Sequence, residues 1–446
     1  MGRGRANIAV VGSGISGLSC AWLLAQGHNV TVFEASHRLG GHIHTVEALV
    51  EGRRIAVDTG FIVYNEATYP NLTALFAHIG AATAPADMSF SVSLDGGLYE
   101  YSGGGLRGLL AQPANLLKPR FWSMLSDLLR FYRNAPRDLP DMGALTLDAY
   151  LDTRRYGEAF RRDHLYPMAA AIWSTPAMKV GEQPAASFVR FCENHGLLRL
   201  MDRPVWRSCL GGSKAYVEKL VASFRQNIKL STPVVSLRRD AEGVNLLDAR
   251  GKSYRFDHVV LACHADQALA LLADPANEER RVLGAFRYAE NRAVLHRDAS
   301  FMPRRRAAWA AWNYAGTDDD DAQGPAVTYW MNQLQQLGET PPLFVTLNPI
   351  RPPRRETIIH SETYAHPLSD LAAREAQAQL WSLQGQRRTW FCGAHFGAGF
   401  HEDGLQAGLA VAEDLGGLRR PWTAPDADGR IVRTPLHPLL HGALVG

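Results

Sequence analysis

Asn7-Ile8-Ala9-Val10-Val11 is followed by Gly12-Ser13-Gly14-Ile15-Ser16-Gly17, then by the apolar run Leu18 to Leu24. After Gly27 comes a second β-branched run, Val30-Thr31-Val32-Phe33, which ends on Glu34. Strand, glycine turn, helix and strand in this order make a βαβ unit with a G-x-G-x-x-G turn. Gly12 allows the sharp turn, Gly14 leaves the backbone open to a pyrophosphate, and Gly17 lets the helix lie close to the strand. The helix N-terminus then turns free N–H groups and a partial positive charge toward the phosphates. Glu34 stands about twenty residues on, where a carboxylate accepts from ribose hydroxyls. The stretch therefore predicts an α/β fold that binds a dinucleotide.

Working outward, the 446 residues exceed one simple core and predict two domains. A hydrophobic share of 46%, a charged share of 20% and a net charge of +3 describe an ordinary globular chain. No basic block points to nucleic acid. The five cysteines, Cys20, Cys192, Cys209, Cys263 and Cys392, are scattered without C-x-x-C spacing. Neither a disulfide framework nor a zinc site is expected, and no metal site is predicted. The first apolar run is already the first strand, so no signal peptide fits, and no window is long enough for a membrane span. The expectation is a cytoplasmic protein, with peripheral contact at the inner membrane face as a further reading.

The next residues are Ala35-Ser36-His37-Arg38-Leu39-Gly40-Gly41-His42-Ile43-His44-Thr45. This extension resembles the E-x-x-x-R-x-G-G signature of the FAD-dependent amine oxidase, protoporphyrinogen oxidase and phytoene desaturase superfamily. Arg38 can offer a cationic fork to the pyrophosphate, and the glycine pair lets the backbone pass close to the ribityl chain. The resemblance implies an α/β fold with an α+β second domain: a Rossmann-like FAD-binding domain of glutathione-reductase-2 type carrying an inserted substrate domain. Its expected segments are 1–85, 205–265 and 386–418 for FAD, 86–204 and 266–385 for substrate, and 419–446 as a C-terminal tail. It carries over an FAD set of Gly12, Gly14, Ser16, Gly17, Glu34, Ala35, Arg38, Gly40, Gly41, His42, Thr45, Gly60, Phe61, Val234, Gly393, Ala394, Gly404 and Leu405.

Along the chain, Arg54 to Tyr64 reads as a short strand turning at Asp58-Thr59-Gly60. Leu72, Leu75, Phe76 and Ile79 share one face of a helix over 70–79, and Met88, Phe90, Val92 and Leu94 alternate along a strand. Pro119 opens a helix over 119–134, with Phe121, Met124, Leu125, Leu128, Leu129 and Tyr132 on one face and Lys118, Arg120, Arg130 and Arg133 beside it. That helix either packs in the second domain or lies on a membrane surface, as the apolar tail from Thr434 to Val445 also can. Residues 145–204 read as helical, broken at Pro167, Pro176 and Pro184, with Met168 to Ser174 as core or cavity wall. His164 and His195 have no second ligand at metal spacing and read as hydrogen-bonded histidines. After Gly211-Gly212-Ser213 come a helix, a strand at 228–230, a strand at 233–237, a hairpin over 244–256 and a buried strand ending at Cys263. Strands are expected near 293–296, 327–331 and 343–347. Asp318 to Asp321 read as a solvated loop, and Arg304-Arg305-Arg306 as exposed or as a headgroup contact. Thr389 to His395 reads as a strand reaching glycines, followed by a helix starting near Gly404. In the resembled superfamily that helix points at the flavin, and many members carry an acid where this chain has Ala394.

Only one G-x-G-x-x-G is present, which favours a substrate that itself gives hydride to FAD. The chain has no lysine after Lys252, and Arg292 cannot act as a neutral base, so a plain amine oxidase is less favoured. Val57 to Asn65, Pro167 to Trp173 and Trp390 to Ala394 resemble a bacterial subgroup of predicted NAD/FAD-binding proteins linked to modified fatty-acid metabolism. The resemblance implies an FAD-dependent oxidoreductase that removes hydride from an apolar small molecule, such as a modified fatty-acyl chain undergoing desaturation. Flavin amine oxidation, porphyrinogen or carotenoid oxidation, and a non-catalytic flavin- or lipid-binding role are the alternatives. Tyr64, Trp330, Trp390 and Phe396 are expected to line the substrate cavity. His395 is the candidate acid/base, since histidine titrates near neutral pH.

Overall fold

The β-branched runs found in the sequence assemble into a five-stranded parallel sheet. A computed structural model describes residues 4–173, 180–199, 203–316, 326–368 and 370–434. The strand order is Ile228–Lys229, Asn29–Phe33, Asn7–Val11, His258–Leu261 and Thr389–Phe391. Every pairing is parallel, with Ile8 opposite Val30 and His258, and Leu261 opposite Phe391. Ile8, Ala9, Val10, Val32, Val259 and Val260 are buried, which is why these strands are apolar on both faces.

The helix Ile15–Leu24 has no polar face because all ten residues are buried. The sheet covers one side and the helix His401–Gly416 covers another. The two helices meet at backbone contact. A Cβ on Gly408 would lie 2.2 Å from the Ser16 carbonyl oxygen and 2.4 Å from Ser19 Oγ. The expected hairpin is an antiparallel three-strand meander, Val234–Arg239, Val244–Asp248 and Ser253–Phe256.

A second, seven-stranded sheet runs in the order Ile358–Pro367, Tyr288–His296, Phe344–Leu347, Ala326–Trp330, Trp312–Gly316, Phe90–Leu94 and Tyr99–Ser102. It is antiparallel except where Trp312–Gly316 runs parallel to Phe90–Leu94. Its core includes Phe121, Met124, Phe131, Phe160 and Phe188 from the helices that cover it. The hairpin Thr45–Val50 and Arg53–Asp58 adds Ala48, Val50, Ile55 and Val57 to this second core, although the expected segmentation grouped it with the first.

Several local expectations are corrected. Pro167 does not break the chain. It lies inside a continuous helical run, at the second residue of Tyr166–Trp173, directly after a wider π-helical turn over Arg161–Leu165. Met168, Ala169, Ala170 and Ala171 of that helix are buried. The helix Pro119–Asp138 turns Phe121, Met124, Leu128, Phe131 and Ala135 inward onto the second core; Leu129, expected inside, is exposed. The closing helix begins at His401, three residues before Gly404. The strands Trp206–Cys209 and Ile358–Pro367 and the helix Leu371–Leu380 carried no strong apolar period and were not anticipated. Ser174, Pro176, Asp318 to Asp321 and the tail from residue 435 lie outside the described residues. Among the described residues, no helix is long and apolar enough to cross a membrane.

Candidate active site

A cavity of about 1190 Å3 starts at the first βαβ turn and continues into the second core. Gly12 has φ +105°, and its N–H donates to the Phe33 carbonyl at 2.9 Å. A Cβ there would stand 2.7 Å from the Ala262 carbonyl oxygen. At Gly17 it would stand 2.0 Å from the Gly12 oxygen, so Gly17 serves close packing and lies behind the cavity wall. Gly14 is different: a Cβ would meet nothing within 4 Å, and the residue faces the cavity. Glu34 also faces the cavity. Its carboxylate accepts from Ser13 N at 2.9 Å, Ser13 Oγ at 2.5 Å and Ser36 N at 2.7 Å. The acid is thus fixed at the end of its strand with the turn beside it.

The following loop leans on this turn. Gly40 and Gly41 have φ of +107° and +57°, and Gly40 N donates to the Ser13 carbonyl at 3.0 Å. Ser16, Ala35, Gly40, Gly41 and His42 line the cavity. Arg38 does not; its Nη1 donates to the Gly41 carbonyl at 2.7 Å and closes the loop instead. Thr45 is also drawn away, because its hydroxyl donates to the buried Asp58 carboxylate at 2.5 Å and accepts from Lys214 N at 2.9 Å. Asp58 further accepts from Ser213 N and Oγ and from Gln335 Nε2. Gly60 lies where a Cβ would be 2.0 Å from the His42 carbonyl oxygen. Phe61 stacks on His401, with ring centroids 3.8 Å apart. Gly60, Phe61 and Val234 line the wall.

Gly393, Ala394 and His395 reach the wall from the last parallel strand. Because the closing helix starts early, Gly399, Phe400 and His401 meet the cavity, while Gly404 is set back against Ile15 and Ser16 and Leu405 is buried in the first core. The first turn is held elsewhere. Glu402 accepts from Asn71 N, Asn71 Nδ2 and Leu72 N at 2.9–3.0 Å, satisfying the open end of the helix Pro70–Ile79. Asp403 accepts from Phe400 N at 2.7 Å and pairs with Arg430 at 3.1 Å.

Among the described residues, seven histidines line the cavity: His42, His164, His195, His264, His366, His395 and His401. Sequence spacing could not gather them, since they come from distant segments. The readable signal was local: His360, Glu362, Tyr364 and His366 recur every second residue, and Tyr364 and His366 reach the cavity from that strand. Burial, then the nearby His264, lowers the His395 pKa to about 3, so its imidazole is neutral at ordinary pH. Its Nε2 has no hydrogen-bond partner among the described residues. A base this weak is a poor proton acceptor at pH 7. His164 is a hydrogen-bonded core histidine, with the hydroxyls of Tyr101 and Tyr132 at 2.9 and 3.1 Å from its two nitrogens. His195 places Nδ1 2.9 Å from the Phe191 carbonyl and stacks on that ring. Outside the cavity, donor atoms of His44, His360 and Glu362 lie within 4.8 Å of one another, the one described group close enough to share an ion.

The four aromatic residues expected in the substrate cavity lie outside its wall. Tyr64 is buried against Tyr69 and Phe76, Trp390 fills the first core, Phe396 packs on Trp381, and Trp330 meets Trp309 edge-on. Each belongs to a strand or turn that turns its ring into packing. The apolar wall comes instead from Phe90, Met168, Ile172, Leu197, Trp312, Tyr329 and neighbours. Among the described residues, no lysine lines the cavity, and Arg203 is the one guanidinium.

The sequence matches the family model "Flavin containing amine oxidoreductase" over residues 15–295. Coproporphyrinogen III oxidase from Mycobacterium leprae (strain TN) is 25% identical over 391 residues, covering 82% of each chain. Among solved structures, cyclohexylamine oxidase from Brevibacterium oxydans IH-35A superposes with a TM-score of 0.65 at 19% identity, covering 92% of this chain and 99% of that one. A CLA-producing fatty acid isomerase from P. acnes gives 0.62 at 16% identity, covering 92% and 97%. These two share the fold. Gly14, open toward the cavity, and Glu34, fixed beside it, are the features an FAD site needs. The chain belongs to the flavin-containing amine oxidoreductase family and is an FAD-dependent oxidoreductase.

Proposed function

We propose that this enzyme oxidises a long apolar substrate, a fatty-acyl chain fitting best, the hydride passing from one carbon to the bound flavin and the proton from the neighbouring carbon to solvent water. The apolar second half of the cavity, with no lysine among its described residues, is the observation that carries this reading. Gly12, Gly14, Ser16 and Glu34 would hold the dinucleotide, with Gly40, Gly41, His42, Gly60, Phe61, Gly393 and Ala394 along its length. When bound, FAD supplies a two-electron hydride acceptor. Phe90, Met168, Ile172 and Trp312 exclude water and align an apolar chain. His395 keeps a neutral imidazole against the cavity, suited to hydrogen bonding rather than to taking the proton. The division into an FAD domain and a substrate domain is part of this proposal, with the hairpin Thr45–Val50 and Arg53–Asp58 packing in the second core.

A porphyrinogen is the second reading, favoured by the likeness to coproporphyrinogen III oxidase over 82% of each chain. A substrate with several carboxylates would seek several cations, and one arginine in the described wall weighs against it. The test is anaerobic flavin bleaching with acyl compounds, porphyrinogens and amines offered separately. Acyl compounds should bleach fastest. Faster bleaching by an amine, growing as the amine loses its proton, would replace this reading with amine oxidation. Retained FAD with no bleaching by any class would leave a binding role.

A further inference from the structure

Between Leu98 and Trp122 the chain exposes more large apolar surface than packing explains. Leu117 is 87% exposed, Leu106 77%, Leu98 67% and Trp122 54%. Hydrogen bonds tie Leu98 and Trp122 to the chain on either side of Leu117. Trp122 Nε1 donates to the Leu116 carbonyl at 2.9 Å, and Lys118 Nζ donates to the Leu98 carbonyl at 3.1 Å. Leu106 opens a short helix directly after Gly103 and Gly104, which are exposed and line the cavity, so the shoulder adjoins the cavity mouth.

The charges on this shoulder have one sign. Residues 98–122 carry Arg107, Lys118 and Arg120, the last held by the buried Asp163 at 2.5 Å, and their single carboxylate is Glu100. Glu100 is buried and consumed by Arg305 Nη1 at 2.9 Å and by the N–H groups of Arg304 and Arg305. Arg304 adds an exposed cation beside Gly97. Exposed leucines and a tryptophan ringed by cations match a lipid surface with anionic headgroups. A second copy docking symmetrically would bring the same cations and repel.

We propose that the shoulder of residues 98–122 seats the protein on an anionic lipid surface, with the cavity mouth at Gly103 and Gly104 beside the bilayer. Resting on the reading of an apolar acyl substrate, this gives such a substrate a route that avoids water. Leu117 and Trp122 enter the interface, Arg107 and Lys118 face headgroups, and the chain slides from lipid past Gly104 into the cavity.

The test is flotation of the FAD-loaded protein with phosphatidylcholine vesicles, with and without phosphatidylglycerol, at low salt. Wild type should float with the anionic vesicles and release as salt rises. Leu117→Ser with Trp122→Ser should lose most of the bound fraction. Arg107→Glu with Lys118→Glu should weaken binding by about fivefold or more per charge. Leu117, Trp122 and Arg107 are exposed and Lys118 is half-buried, and flavin absorbance checks folding. No flotation of wild type with anionic vesicles, or both double variants floating like wild type, would overturn the proposal. Flavin bleaching by a short, water-soluble acyl compound is read separately without vesicles. Bleaching without flotation removes only the docking surface, while flotation without bleaching removes only the acyl reading.

Discussion

Two glycines of one turn should respond in opposite ways to the same methyl group. At Gly14 the backbone has φ −65° and ψ 177°, ordinary for any residue, and an added Cβ meets nothing within 4 Å. Gly14→Ala should therefore leave the cofactor-free protein as stable as wild type, or more stable by about 0.4–1 kcal/mol through a less flexible unfolded chain. The methyl would project into the cavity where the pyrophosphate is expected. FAD affinity should fall at least about tenfold, or about 1.4 kcal/mol. At Gly17 the same Cβ would lie 2.0 Å from the Gly12 carbonyl oxygen, against about 3.5–4.0 Å for an ordinary carbon contact. The helix would have to retreat by more than an ångström, and Gly408 already presses on Ser16 and Ser19 from its other side. Gly17→Ala should cost about 1–3 kcal/mol of folding stability, or more. Urea denaturation of the cofactor-free proteins and a fluorescence titration with FAD separate the two effects. An unfolded Gly14→Ala, an unchanged FAD affinity in Gly14→Ala, or a Gly17→Ala as stable as wild type would refute the reasoning.

Acid should destabilise the fold before most carboxylates titrate. Burial lowers His164 and His195 to about 4 and His395 to about 3, whereas the unfolded chain takes up protons near 6.5. Between these values the unfolded state binds more protons, so stability falls as pH drops, by about 2 kcal/mol per histidine at pH 5. Asp58, raised by burial to about 6, acts in the opposite sense with about 1 kcal/mol. The urea midpoint should therefore be lower at pH 5 than at pH 7.5, and an equal or higher midpoint would show that these imidazoles are not held neutral. His395→Gln should retain FAD and slow flavin reduction several-fold by removing the imidazole that would hydrogen-bond a bound group, as read by anaerobic stopped flow; an unchanged rate would remove His395 from the chemistry. Glu402→Gln replaces an acceptor facing Asn71 and Leu72 by a donor, and should cost about 1–3 kcal/mol in thermal denaturation. A wild-type melting curve would show that the carboxylate does not hold that helix end.

What was legible in the sequence was what short-range physics dictates. The turn Gly12 to Gly17, the acid Glu34 and the loop Gly40-Gly41 announce themselves because each needs a fixed spacing along the chain. The inward aromatics were misplaced for the converse reason. Period alone says that Tyr64 and Trp390 are on an inner face, not whether that face meets a core or a cavity. Arg38 and Thr45 were carried over as cofactor contacts from the family resemblance, yet each finds a nearer partner, the Gly41 carbonyl and the Asp58 carboxylate. The histidine-lined wall was invisible because its members come together only when the edge strand Ile358–Pro367 and the closing helix meet the first sheet. That strand alternates polar side chains and sends no apolar signal.

The central claim is that the bound flavin removes two hydrogens from an apolar acyl chain. The most direct measurement is an anaerobic titration of the FAD-loaded protein with a defined fatty-acyl substrate, following flavin absorbance and product mass together. The account predicts one molecule of product, lighter by two hydrogens, for each flavin bleached. A flavin that stays oxidised with acyl chains but bleaches with an amine or a porphyrinogen would contradict it.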